Sequence, residues 1–554
     1  MTKVEVLDIK ICFKNFLIYF LDISGMDFLN FNIGVLGHVD SGKTSLVKTL
    51  SQTASTACFD KNPQSKERGI TLDLGFSSFV IPCPENLDCK QDNILITLVD
   101  CPGHASLLKT IIGGAHIIDM MILVIDITKG MQTQTAECLV IGELTCEKMI
   151  VVLNKVDMVP EKKRQATIEK MTKRINATLN TTKFKGSPIV VTCVGPDDKV
   201  EGHDKLIETI KSYLTIPSRS SEGPFVFAVD HCFGIKGQGT VLTGTCLAGS
   251  VGINDVVEIS NLKIEKKIKS IQVFRKSVER VIQGDRAGVC VAQFDPSLLE
   301  RGLVFTDKAV PTINGAIINI SKVKYYKGGI TNKMKYHVSI GHETVMSRIT
   351  FFKSIDGSQN FKINSEYLFQ ESYEEDANIT SYALLEFEQP VQCILDNLVI
   401  ISRLDMDVNT PSCRLAFYGN ILHHFTEPDY HNISLPSLKI FKYKERSGVI
   451  ERMNDEYTVI GKDLFKKETN IDLFTNLKVS LSTGEEGVIE GSFGQSGKYK
   501  INLPDGLLEG TKIILESRKK GKKGASSEPP SSEVITVQLQ FKRYVYDKKK
   551  MMIQ

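Results

Sequence analysis

The sequence predicts a multidomain chain in which an α/β phosphate-loop domain is followed by two β-barrels and a C-terminal β-rich domain. Three observations carry this. A glycine loop, Gly37-His38-Val39-Asp40-Ser41-Gly42-Lys43-Thr44, follows an apolar run at 31–36 and precedes a helix-compatible stretch at 45–50. Apolar runs then alternate with helical stretches as far as 189–193, the pattern of a mostly parallel sheet covered on both faces. Beyond 217–224, a linker by composition, helical spacing gives way to short β-rich runs that continue into the tail.

A chain of 554 residues, 42% hydrophobic and 24% charged, is ordinary globular material and too long for one core. The predicted divisions are an extension at 1–25, a nucleotide-binding domain at 26–221, barrels at 222–308 and 309–436, and a fourth domain at 437–554. The 13 cysteines contain no CxxC pair, which predicts free thiols in a reducing compartment and no structural zinc. The formal charge of +3 conceals an asymmetry, because 437–554 holds 22 Lys and Arg against 16 Asp and Glu. The rest of the chain is therefore net acidic, and an anionic partner suits the tail best.

Residues 1–25 carry an apolar stretch, 9–21, that two lysines interrupt and that is too short to span a membrane. Acidic Glu5 and Asp8 make a poor secretory signal, and Met26 stands just before the first strand. The expectation is that 1–25 are dispensable or an upstream start.

The glycine loop has a specific chemistry. Gly37 and Gly42 let the backbone curl so that successive N–H groups point at phosphate oxygens, and the helix N-terminus adds partial positive charge. Lys43 then reaches the β and γ phosphates, and the Thr44 hydroxyl is a ligand for Mg²⁺. The polar loop 53–68 ends in Glu67-Arg68-Gly69-Ile70-Thr71, a candidate switch in which Thr71 completes the Mg²⁺ shell; the plain alternative is a turn into the strand at 74–81. The strand at 93–99 delivers Asp100-Cys101-Pro102-Gly103-His104 at its carboxyl end, where α/β sheets place ligand groups. Asp100 is expected to hold Mg²⁺ through water, Gly103 to bring its N–H to a γ phosphate, and His104 to orient the attacking water.

The strand at 149–153 leads into Asn154-Lys155-Val156-Asp157. The Asp157 carboxylate accepts two hydrogen bonds from the N1–H and N2–H₂ edge of guanine, a pair that adenine lacks. With the glycine loop and the Asp100 turn upstream, this specifies a P-loop GTPase domain. The short runs at 225–229, 239–245, 255–260, 267–274 and 288–294 suggest a small closed barrel. A second β-rich block covers 312–424, and the tail is strand-like apart from 518–530, read as a flexible basic loop that is either solvated surface or an RNA contact.

This arrangement resembles the translational GTPases that carry aminoacyl-tRNA to the ribosome, and within them the eukaryotic selenocysteine-specific elongation factors. The resemblance runs from about Asn32 to the C-terminus. It rests on Thr71-Leu72-Asp73-Leu74-Gly75-Phe76, Ala228-Val229-Asp230-His231-Cys232-Phe233, Gln283-Gly284-Asp285-Arg286 and the segment 294–302, and in the tail on the segments 460–470, 493–498 and 541–545. The tail narrows the assignment, because ordinary aminoacyl-tRNA elongation factors lack a fourth domain. What the resemblance implies is a monomeric, membrane-free factor of the cytoplasm, with the nucleus left open, that binds GTP/GDP and Mg²⁺. It implies delivery of selenocysteinyl-tRNA to the ribosome at UGA codons, and contact with a selenocysteine-insertion RNA element through that element's binding protein. It also implies an aminoacyl pocket at Phe59, His104, Asp230, His231 and Arg286, where His231 and Arg286 are expected to favour an anionic selenolate and Asp230 to meet the α-amino group. The sequence also fits two other readings: a general aminoacyl- or initiator-tRNA GTPase, and a metabolic or regulatory GTPase of the same three-domain plan.

Overall fold

A computed structural model describes residues 28–54, 74–89, 91–103, 108–115, 117–194, 200–299, 301–307, 310–332, 334–341, 343–355, 357–358, 360–376, 378–394, 398–407, 412–494, 497–521, 534–547 and 552–554. The extension 1–25, Phe59, Thr71, His104 and the stretch 522–530 lie outside the described residues. The chain divides into two compact units, Met1–Ile349 with Leu384–Thr426, and Thr350–Ala383 with Glu427–Gln554.

The first unit opens with strand β1 (Phe28–Leu36), helix α1 (Lys43–Leu50), β2 (Thr53–Ala54), β3 (Gly75–Pro82) and β4 (Asn93–Asp100). Then follow α2 (Leu108–Ala115), β5 (Met120–Asp126), α3 (Thr133–Thr145), β6 (Lys148–Asn154), α4 (Glu161–Leu179), β7 (Ile189–Val191) and α5 (His203–Tyr213). The sheet order is β2-β3-β4-β1-β5-β6-β7, parallel from β4 to β7 with an antiparallel edge at β2 and β3. β5 and β6 are unbroken apolar runs because both their faces are covered. The carboxyl ends of β1, β4, β5 and β6 therefore lie along one edge of the sheet, and the glycine loop, the Asp100 turn and the Asn154–Asp157 motif follow β1, β4 and β6 in turn.

Six strands of the next domain close on themselves: Val226–Ile235, Gly239–Ala248, Val256–Ile259, Ile264–Val273, Arg286–Val291 and Gly302–Phe305. Closure occurs at Val256–Ile259, which pairs with both Ile264–Val273 and Gly302–Phe305. Phe225, Phe227, Leu242, Val257, Ile268 and Val289 fill the interior. The expected linker at 217–224 has no helix or strand, yet it is tied down. Arg219 Nη2 donates to both oxygens of Asp119 at 2.7 and 2.6 Å, and Ser220 N donates to Gln283 Oε1 at 2.8 Å. Beside it, Asn30 Nδ2 and Asn32 Nδ2 share the Gly284 carbonyl at 2.6 and 3.0 Å, so the nucleotide domain and the barrel meet through directional bonds.

A second barrel is assembled from Thr312–Asn319, Lys335–Ile340, Glu343–Ser354, Ser381–Gln392, Leu398–Ser402 and Leu415–Phe425. Where it meets the nucleotide domain, Arg414 forms a two-point ion pair with Glu137 of α3, Nε to Oε1 at 2.9 Å and Nη2 to Oε2 at 2.8 Å. Both side chains are buried.

In the second unit, Glu366–Gln370 pairs in parallel with Lys439–Asp455, whose remaining length pairs with Thr458–Lys462 and Thr536–Tyr544. Lys478–Leu481, Glu486–Phe493 and Lys498–Asn502 complete a β-rich domain around Ile450, Val459, Phe474 and Tyr499. The expectation of a loop from 518 is corrected, because helix Glu509–Gly521 extends into it. Its start is held by Glu485, whose carboxylate accepts from Leu508 N at 3.3 Å, and Leu515 buries its inner face. The expectation of free thiols is corrected at one pair: Cys83 and Cys89, brought together by the turn between β3 and β4, form a disulfide. Nine further cysteines are free among the described residues. No helix among the described residues is long and apolar enough to cross a membrane.

Candidate nucleotide and aminoacyl site

The phosphate loop is built where β1 stops and α1 starts. Gly37 and Gly42 have φ of 151° and 91°, and a side chain at Gly42 would meet Asn154 Nδ2 at 2.2 Å. That contact exists because Asn154 Nδ2 donates to the Ser41 carbonyl at 2.9 Å, while Thr192 Oγ1 donates to Asn154 Oδ1 at 3.3 Å. The phosphate loop and the Asn154–Asp157 segment are thus one bonded unit. Two further groups of the loop are buried without a hydrogen-bond partner among the described residues: the Ser41 hydroxyl and both ring nitrogens of His38. Burial first, then Lys43, Lys129 and Lys155, push the His38 imidazole down to about 4, so it is neutral at physiological pH.

Lys43 is buried and donates from Nζ to the His38 carbonyl at 2.8 Å. Burial lowers its affinity for a proton, and the nearby Asp100 opposes this. The Thr44 hydroxyl donates to Asp100 Oδ2 at 2.7 Å, so two hard oxygen groups stand side by side at the start of α1, a donor set that suits Mg²⁺. A side chain on Gly103 would lie 2.3 Å from Lys43 Nζ and 2.9 Å from both His38 O and Val39 N. Only glycine leaves room there for the Lys43 ammonium and the loop backbone. Asp40 has a positive φ of 60° and is half of an exposed contact with Lys129 at 4.0 Å. Val39 N donates to Gln134 Oε1 at 3.3 Å, a support from α3 that no motif announced. Lys155 adopts a left-handed φ of 62° and opens the short turn Val156–Met158 that contains Asp157. The structure therefore gathers Gly37 to Thr44, Asp100, Gly103, Asn154, Lys155 and Asp157 at one edge of the sheet, while Thr71 and His104 lie outside the described residues.

On the first barrel, Asp230, His231 and Arg286 come together. Arg286 Nη1 donates to Asp230 Oδ2, and His231 Nδ1 lies 3.2 Å from Asp230 Oδ1. Burial pushes the Asp230 carboxyl up, but Arg286 and His231 outweigh it and hold it at about 2. The Arg286 guanidinium also lies over the Phe76 ring of β3, 3.2 Å from its centroid. This modifies the expected division of roles. Arg286 is neutralised by Asp230 and retains only Nη2 without a hydrogen bond among the described residues, whereas His231 is partly exposed. Phe59, the fifth expected member, lies outside the described residues.

A parallel α/β sheet whose strand ends carry a phosphate loop, a carboxylate turn and a guanine motif, joined to a β-barrel, defines a GTP-binding domain of the translation-factor type. Residues 29–258 match the elongation factor Tu GTP-binding domain. Residues 317–419 match the third domain of eukaryotic selenocysteine-specific elongation factors, and 436–550 match the eEFSec C-terminal RIFT domain. The chain is 49% identical to the selenocysteine-specific elongation factor of Mus musculus, over 95% of this chain and 99% of that protein. It is 31% identical to the factor of that name from Methanocaldococcus jannaschii, over 90% and 99%. Translation elongation factor SelB from Methanococcus maripaludis, solved with the GTP analogue GppNHp, is similar at a TM-score of 0.65 and 27% identity, over 94% of this chain and 99% of that one. The chain belongs to the selenocysteine-specific elongation factors, which are GTPases of translation elongation.

Proposed function

We propose that this protein delivers selenocysteinyl-tRNA to the ribosome at UGA codons, using GTP bound at the loop Gly37–Thr44 and releasing the tRNA on hydrolysis. The observation that carries this is the bonded continuity of the phosphate loop with Asn154, combined with the Asp230–His231–Arg286 cluster against Phe76 on the neighbouring domain. Backbone N–H groups of the loop and the Lys43 ammonium bind phosphate oxygens, and Asp157 reads the guanine edge. Thr44 and Asp100, with Thr71, would hold Mg²⁺, which when bound neutralises phosphate charge. His104 orients the attacking water.

The aminoacyl group is assigned to the face formed by Phe59, His104, Asp230, His231 and Arg286. A selenol is largely ionised near neutral pH, so the pocket needs positive charge that is not already neutralised. That role is assigned to the partly exposed His231, whose ring lies against Asp230, itself bonded to Arg286. The fourth domain is assigned to the selenocysteine-insertion RNA element through that element's binding protein, and the whole process to the cytoplasm.

The test is a UGA-recoding reporter in a translation lysate depleted of the endogenous factor. Asp157→Asn should lose activity with GTP and regain it when xanthosine triphosphate is added, because an amide donor complements the 2-carbonyl of xanthine. Recoding by Asp157→Asn that is equally active with GTP alone would remove Asp157 from base reading.

A further inference from the structure

Strand β5 ends on a carboxylate that no motif singles out. Asp126 is opposite Asn154 in the parallel register, so its side chain reaches the residue that follows, Lys155. Its Oδ2 lies 3.1 Å from Lys155 Nζ, with the acid almost fully buried and the lysine one-third exposed. Its Oδ1 accepts from Thr128 N at 2.8 Å and from Thr128 Oγ1 at 2.5 Å. Burial pushes this carboxyl up, but the bonds from Thr128 and Lys155 outweigh it and keep it below the usual carboxylate range. The backbone is pinned as well: Lys129 N and Gly130 N both donate to the Asp126 carbonyl, at 3.2 and 2.8 Å. This turn leads into α3, whose Gln134 supports Val39 of the phosphate loop.

We infer that Asp126 is a positioning residue of the nucleotide site, its charge holding the Lys155 ammonium, and through it the Asn154–Asp157 loop, in the geometry that receives a guanine nucleotide. The inference rests on the reading of Asn154–Asp157 as the guanine loop. Its reason is a division of labour between the two oxygens. The bonds from Thr128 need only an acceptor, which an amide oxygen also provides. The contact with Lys155 needs the negative charge. Lys155 stands among cations, since Lys43, Lys129 and Lys155 all press on the His38 ring, so loss of the charge leaves mutual repulsion to drive the lysine outward. An ion pair with one partner buried is screened little by solvent, which makes the charge effective at this point.

Asp126→Asn separates the two roles, because it retains the acceptor for Thr128 and removes the charge. Dissociation of a fluorescent GDP analogue from the full chain, chased with unlabelled GDP, should be about 10-fold faster in Asp126→Asn, the size expected for one hydrogen bond to a charged group. The melting temperature without nucleotide should stay within a degree or two. Lys155→Met should accelerate release by a similar factor, and the double variant should release no faster than Lys155→Met alone, because Asp126 acts through Lys155. Release from Asp126→Asn at the wild-type rate, or fully multiplicative effects in the double variant, would overturn the inference. The parent reading has its own control: if Asp157→Asn switches base preference while Asp126→Asn changes nothing, only the positioning role fails. If Asp157→Asn leaves the preference unaltered, the guanine-loop reading fails first.

Discussion

The Glu137–Arg414 pair makes the most demanding stability prediction, because it joins residues 277 positions apart and both side chains are nearly inaccessible. Arg414→Met keeps the packing volume but leaves the Glu137 carboxylate buried without its cation. Breaking a buried pair from one side costs about 3–5 kcal/mol, since an uncompensated charge remains in a low-dielectric site. Glu137 also accepts from the Arg414 backbone N–H at 3.0 Å, and that bond survives the substitution, so the low end of the range applies. At 1.4 kcal/mol per decade, about 3 kcal/mol corresponds to roughly 100-fold. The measurement is native-state hydrogen exchange of amides in Thr133–Thr145, which reports opening of this helix without requiring a two-state transition from a multidomain chain. Exchange there should accelerate by about 100-fold in Arg414→Met, while amides of the fourth domain keep their rates. Replacing both partners, Glu137→Leu with Arg414→Met, should recover most of the protection, because no buried charge is left behind. Less than a threefold acceleration in the single variant would refute the reasoning, and so would a double variant that exchanges faster than the single one.

Two further outcomes follow from named contacts. Asp285 sits buried beside the Asn30–Asn32–Gly284 seam, and burial, opposed by the Ile282 N–H and by Arg219, pushes its carboxyl up to about 7. The folded chain therefore binds more protons than the unfolded one between about pH 4 and pH 7, and stability falls as pH rises through that window. Asp285→Asn keeps the acceptor for Ile282 and carries no charge, so it should be more stable than wild type at pH 8, by at most about 4 kcal/mol, with the gap closing towards pH 4; equal melting temperatures at pH 8 would contradict this. Gly103→Ala places a methyl group against Lys43 Nζ and two backbone atoms, so GTP affinity in a competition titration should fall about 10-fold, with GDP affected less. An unchanged GTP affinity would show that the Asp100–Gly103 turn does not approach the phosphates.

Where the candidate residues stand at strand ends, the sequence alone was enough to place them together. Gly37 to Thr44, Asp100 and Asn154 to Asp157 each follow an apolar strand, and parallel order brings such ends to one edge whatever the details of packing. The two barrels were legible from their short alternating runs. The bonds that join the parts were not. Asp119 with Arg219, Asn30 and Asn32 with the Gly284 carbonyl, and Glu137 with Arg414 are ordinary polar residues whose partners lie about 100 to 277 positions away. Nothing local marks them. Asp126 was overlooked for a related reason, because it reads as the end of an apolar strand until the register sets it beside Lys155. The pairing of Arg286 with Asp230 was not legible either, since the two residues stand 56 positions apart and meet only when the barrel closes. Helix Glu509–Gly521 was hidden by its basic end, and the carboxylate that holds its start lies in a different turn, at Glu485.

Selenocysteine-specific delivery requires discrimination between two aminoacyl groups carried by one tRNA. The decisive measurement is the dissociation constant of the GTP-analogue form for selenocysteinyl-tRNA and for seryl-tRNA built on the same tRNA body, in wild type and His231→Ala. Contacts with the tRNA backbone cancel in the ratio, which leaves the pocket. A hydrogen bond to a charged group contributes roughly 1.5–3 kcal/mol, so wild type should favour selenocysteinyl-tRNA by about 10- to 150-fold, and His231→Ala should lose most of that preference. Equal affinities for the two tRNAs in wild type would contradict selenocysteine-specific delivery by this site.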